Sequence, residues 1–136
     1  VQKKVQAINW DTYLNFNESE FACSHCGKCE VRSEIVDIVQ EIRTRLDKPM
    51  FISSGYRCVA HPVETMKDKP GEHTDGFAVD IIAHGRTALF IVGMALQLGV
   101  TRIGLHQKGR ASGRYVHLGL GDKHDLRYPA GALWTY

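Results

Sequence analysis

Apolar positions recur with helical spacing between Arg32 and Leu46, where Ile35, Val36, Ile38, Val39, Ile42 and Leu46 fall on one side and charged residues on the other. This predicts an amphipathic helix, ended by Pro49. Met50-Phe51-Ile52-Ser53 then reads as a short strand. A polar stretch from Cys58 to about Gly76 contains Pro62 and Pro70-Gly71 and is longer than a connector requires, which points to a functional loop. Phe77 to Ile82 predicts a strand, Arg86 to Leu98 a second helix closed by Gly99, and Arg102–Leu105 and Arg114–Leu120 two further strands. Upstream, Asn17-Glu18-Ser19-Glu20 predicts a short capped turn. The expected class is α+β: a small antiparallel sheet with helices packed on it.

No repeat or shift in composition divides the 136 residues, so residues 1–136 are expected to form a single domain. With 43% hydrophobic and 24% charged residues, the chain has the composition of a globular protein. Its formal charge of +2 argues against a polybasic nucleic-acid surface. Ala88–Val100 is interrupted by Gly93, Gln97 and Gly99 and falls short of the roughly 20 residues of a membrane span. Val1-Gln2-Lys3-Lys4 is not followed by the apolar core of a secretory signal, so no export signal is visible and the compartment stays open. A monomer is expected.

Within the strand Phe77-Ala78-Val79-Asp80-Ile81-Ile82, Asp80 has apolar neighbours on both faces. A carboxylate there must pair, bind metal or protonate. His73 lies seven residues earlier, about 23 Å away if the chain were extended, but Thr74-Asp75-Gly76 is turn chemistry that folds it back toward Asp80. In Tyr115-Val116-His117-Leu118, alternation puts Tyr115, His117 and Gly119 on one strand face. Two imidazoles and a carboxylate suit Zn²⁺ with one coordination position open; the competing reading is hydrogen-bonded histidines and an Asp80–Arg ion pair.

Three segments bear on the choice: Ser53-Ser54-Gly55-Tyr56-Arg57, His61-Pro62-Val63-Glu64, and Gly71-Glu72-His73-Thr74-Asp75-Gly76-Phe77-Ala78-Val79-Asp80-Ile81. With Ile103–Gly109, Tyr115–Leu118 and Leu133–Tyr136, they resemble the successive motifs of the zinc D-Ala-D-Ala carboxypeptidases, peptidase family M15, and most closely its short, endolysin-like phage members. The resemblance implies a Hedgehog/D-Ala-D-Ala peptidase-like fold, a Zn²⁺ cofactor held by His73, Asp80 and His117, and hydrolysis of the peptide stem of bacterial peptidoglycan. It also implies that Arg57 binds or polarises substrate, as guanidinium geometry allows; a structural salt bridge is the alternative role.

Relatives carry an acid either three residues before the third ligand or two after it, where this chain has Arg114 and Gly119. Glu72, Asp75 and Asp122 are the nearby acids, and Glu72 and Asp122 are the expected substitutes for the general base. If neither serves, the chain is a non-catalytic zinc-containing cell-wall binding module. Cys23, Cys26, Cys29 and Cys58 fit a second, structural zinc cage, one or two disulfides, or reduced thiols, and His25 is a further possible ligand.

Overall fold

The helical periodicity becomes α1, Ser33–Leu46, which buries Ile35, Val36, Val39 and Ile42. It stops at Asp47, which takes the left-handed conformation (φ 54°) before Pro49 is reached and donates its N–H to Arg43 O. The computed structural model describes residues 5–124 and 127–136; the Val1–Lys4 stretch read above for export character lies outside them. Ahead of α1, the capped turn at Asn17 forms a single 3₁₀ turn, Glu18–Glu20, in which the Glu20 carboxylate accepts the Asn17 N–H at 2.9 Å.

The strands are β1 (Phe51–Ser54), β2 (Ala78–Ile82), β3 (Arg102–His106), β4 (Tyr115–Gly119) and β5 (Ala132–Thr135), in the order β1-β2-β4-β3-β5. Neighbours among the first four are antiparallel, but β5 runs parallel to β3. The fold is α+β with helices on a small sheet, as expected, and the expected antiparallel sheet is made mixed by the added edge strand β5 alone. β5 escapes the hydrophobic pattern because it is four residues long and lies at the sheet edge, with Leu133 72% exposed. Two short helices also emerge from segments read as loop or strand end: α2 (Pro62–Thr65) and α4 (Gly121–His124). Between them lies α3 (Gly85–Gln97).

One sheet face is core: Val79, Ile81, Ile103, Val116 and Leu118 form a single buried cluster with the apolar stripe of α1 and with Ala88, Ile91, Met94 and Ala95 of α3. The other face carries the polar chemistry. Cross-strand partners share a face, and the register aligns Ser54 with Asp80, Asp80 with His117, His117 with Gly104, and Gly104 with Trp134. One row across all five strands thus holds two of the three expected ligands. No described helix is long and apolar enough to cross a membrane.

Candidate active site

His73 reaches this row from the long loop. The turn at Thr74-Asp75-Gly76 is closed by Gly76 N–H to His73 O (3.2 Å) and Phe77 N–H to Glu72 O (3.0 Å). Gly76 has φ +81°, and a Cβ there would overlap Glu30 O, so both backbone conformation and space require glycine. The result is a buried group of three: His73 Nε2, Asp80 Oδ1 and His117 Nδ1 lie 3.0 to 3.3 Å from one another.

These donors fit a metal. A tetrahedral ion with bonds of about 2.0–2.1 Å sets its ligand atoms roughly 3.3–3.4 Å apart, close to the observed edges. The imidazoles are also held from behind. His73 Nδ1–H donates to Gly55 O at 2.8 Å, which leaves Nε2 as the ligand nitrogen; His117 Nε2–H donates to Glu72 Oε1 at 2.6 Å, which leaves Nδ1. Burial would raise the Asp80 pKa, but His73 and His117 hold it well below the ordinary carboxylate range. For His73, burial dominates and lowers the pKa. Burial acts the same way on His117, but its bonds to Asp80 and Glu72 outweigh it and raise the pKa.

Arg57 makes the salt bridge expected as its alternative role. Its Nη2 donates to Asp80 Oδ2 (3.1 Å), Nη1 to Glu64 Oε2 (3.2 Å) and Nε to Ser54 Oγ (2.9 Å), and it also lines the cavity over the triad. Asp80 accordingly spends one oxygen on the histidines and the other on an arginine.

The substitute acids part company. Glu72 lines the cavity, with Oε1 on the far nitrogen of His117 and Oε2 accepting from Arg102 Nε (3.2 Å) and Gly121 N–H (3.1 Å). Both of its oxygens are thus engaged, one on a triad histidine and one on Arg102 and the Gly121 main chain. Asp122 is not brought to the triad: its Oδ2 accepts from Thr101 Oγ1 at 2.5 Å, and it does not line the cavity. The cause is local: α4 begins at Gly121 and directs residue 122 to Thr101. Asp75 accepts from Tyr128 Oη (2.6 Å) and Arg127.

A cavity of about 420 Å³ opens on the triad. Arg57, Lys67 and Arg102 supply positive charge to its wall, and Tyr115, Tyr128, Trp134 and Tyr136 supply aromatic surface. Burial raises the pKa of Tyr115 and pushes Tyr136 up to about 12, so both phenols stay neutral donors. Trp134 stands against His117, with ring centroids 5.1 Å apart, and crosses Gly104, where a Cβ would overlap the indole.

A family model described as Peptidase M15 matches residues 13–118, which include all three triad residues and most of the chain. The chain belongs to the M15 peptidase family. No curated protein matches it. The M15 site also contains a residue to which the sequence reading gave no role: Glu64, 2% exposed on α2. It accepts from Gly71 N–H (2.8 Å), Thr74 Oγ1 (3.2 Å), Lys67 Nζ (2.9 Å) and Arg57, and so ties the loop bearing His73 to the arginine. Its signal was the His61-Pro62-Val63-Glu64 motif itself, in which Pro62 starts a helix and His61 Nδ1 accepts the Val63 N–H.

Among the cysteines, the structure gathers Cys23, Cys26 and Cys58 but not Cys29. Cys29 packs at the margin of the hydrophobic core, and its sulfur takes the Val31 N–H. Of the four cysteines expected to share a site, the structure thus brings three together.

Proposed function

We propose that the protein is a zinc-dependent peptidase that hydrolyses the peptide stems of bacterial peptidoglycan, as a D-Ala-D-Ala carboxypeptidase or an endolysin-type endopeptidase. The observation that carries this reading is the buried His73–Asp80–His117 group, with donor atoms at metal-ligand spacing, beneath a cavity with cationic walls. Zn²⁺ held there would supply Lewis acidity to the scissile carbonyl and to the hydrolytic water. The chain's own residues bind and orient. Arg57, Lys67 and Arg102 suit the carboxylates of a stem peptide, and the three bonds described for Arg57 use three of its five N–H donors, leaving donors for substrate. The neutral phenol of Tyr115, which accepts a hydrogen bond from Tyr136, keeps its own O–H to donate to a peptide carbonyl.

Glu72 acts in this reading as the positioning residue of His117. One observation favours the second reading, a binding module: among the described residues lining the cavity, the one carboxylate outside the triad is this one, and it is already bonded to His117. Incubation of zinc-loaded protein with defined stem peptides, with and without chelator, separates the two, with products identified by mass. Chelator-sensitive cleavage that His117→Ala abolishes together with zinc content supports the peptidase. Stem-peptide binding without cleavage establishes the binding module.

A further inference from the structure

We propose that Cys23, Cys26 and Cys58, with His25 as fourth donor, hold a second Zn²⁺ that is structural and separate from the His73–Asp80–His117 centre. The three thiols offer sulfur atoms that all lie within 4.8 Å of one another. Zinc–sulfur bonds of about 2.3 Å place the sulfurs of a tetrahedral site roughly 3.8 Å apart, so closing on an ion requires sub-ångström movement. The fourth corner would fall to His25, whose Nδ1 lies 3.4 Å from Cys58 Sγ but outside the three-sulfur group, so its ring must swing toward Cys23 and Cys26 to close the site.

The backbone around Cys23 is already shaped for a thiolate. Cys23-Ser24-His25-Cys26-Gly27 turns back on itself, with Gly27 N–H on Cys23 O at 2.8 Å and Cys23 N–H on Lys28 O at 2.7 Å. Gly27 takes φ +78°, which lets the chain turn immediately after the second cysteine. The main-chain N–H groups of His25, Cys26 and Cys58 bear on Cys23 Sγ, the last at 3.4 Å. Several N–H donors converging on one sulfur stabilise negative charge there. The same turn carries Cys29 to the core and leaves a Cys₃His donor set.

Three clustered thiols also argue against a disulfide as the resting state, since one bond would strand the third sulfur, whereas a metal uses all three and the imidazole. The ion would join two segments far apart in sequence. They already touch, because Tyr56 N–H donates to Phe21 O at 2.9 Å and Gly55 passes so close to Phe21 that a Cβ would overlap its main chain. Cys58 directly follows Arg57, so the clip would anchor the arginine that donates to Asp80.

The test uses the full chain, prepared reduced, loaded with Zn²⁺ and dialysed, with metal content, thiol titration and a Co²⁺-substituted absorption spectrum as readouts. The expected result is two ions per chain in the wild type, one in His117→Ala, and one in Cys26→Ser, which alters an exposed residue and keeps the histidine-site ion. Cys29→Ser should keep both, and His25→Ala should bind the second ion more weakly. Co²⁺ should give a sulfur-to-cobalt charge-transfer band in the wild type and in His117→Ala that is lost in Cys26→Ser; the wild-type spectrum needs no variant to fold. A single ion per chain without that band overturns the proposal, as does dependence of the second ion on Cys29. So does a disulfide in the isolated protein whose reduction fails to create zinc uptake. Peptide cleavage is not a readout here, so failure of the peptidase reading leaves this result standing.

Discussion

The Glu72 carboxylate fills the space that a side chain at Gly119 would occupy, since a Cβ built at 119 would overlap both of its oxygens. The carboxylate arrives from the neighbouring loop and rests on His117 Nε2. Glycine at 119 is thus a steric condition for the carboxylate–histidine pair.

That pair is tested by Glu72→Gln. Carboxylate partners of metal-binding histidines typically contribute about 10–100-fold in metal affinity, so zinc affinity measured by chelator competition should fall by that order. Unchanged affinity with turnover reduced by about 10²–10⁴-fold would instead make Glu72 the general base. Gly119→Ala should weaken zinc binding in the same direction, because the new methyl group must push Glu72 away from His117.

Arg57→Lys retains the charge but cannot reach Ser54, Glu64 and Asp80 together. At least one buried carboxylate loses a donor, and the expected loss of stability is about 1–3 kcal/mol, read as a fall in Tm and denaturation midpoint. Turnover should fall as well. Wild-type stability combined with lost turnover would confine Arg57 to substrate binding.

Gly104→Ala addresses the other side of His117. The added methyl group would overlap the Trp134 ring, and overpacking of this kind costs about 1–3 kcal/mol. Trp134 must shift from its 5.1 Å contact with His117, so the variant should show altered tryptophan fluorescence together with a lowered Tm. An unchanged spectrum would mean that β5 does not hold the indole where the register places it.

The residues that chemistry forces into awkward places were legible before the fold was known. Asp80 sits in an apolar run, and the alternation of Tyr115, His117 and Gly119 put the histidine on a definite face; the structure brings both into one cross-strand row with His73 above them. Helix α1 was legible because an amphipathic stripe of fourteen residues has one period to obey. What escaped was set by long-range packing. Glu64 looks like any solvated loop acid, yet four donors from Arg57, Lys67, Gly71 and Thr74 bury it. Cys29 shares the spacing of its neighbours, but one left-handed glycine turns it inward. The parallel seat of β5 depends on where the chain returns after α4, which no local pattern encodes.

Glu64 also makes acid stability a test of the loop. Burial would raise its pKa, but Gly71 N–H, Lys67 and Arg57 pull it down from 4.5 to about 2. A carboxylate whose pKa is lower folded than unfolded binds more protons when unfolded, so it stabilises the fold above the unfolded pKa, and that stability drains away as pH falls toward the folded value. The window is therefore about pH 4.5 down to about 2, and a shift of this size is worth roughly 3 kcal/mol. Stability in urea across that range should fall steeply for the wild type. Glu64→Gln should be less stable at neutral pH, because Arg57 and Lys67 lose a buried anion, and its stability should change less with pH over the same window. Equal slopes for the two proteins would show that Glu64 is not the group that titrates, and would assign the acid sensitivity to other carboxylates such as Glu72, which His117 and Arg102 also hold below the ordinary range against the opposing effect of burial.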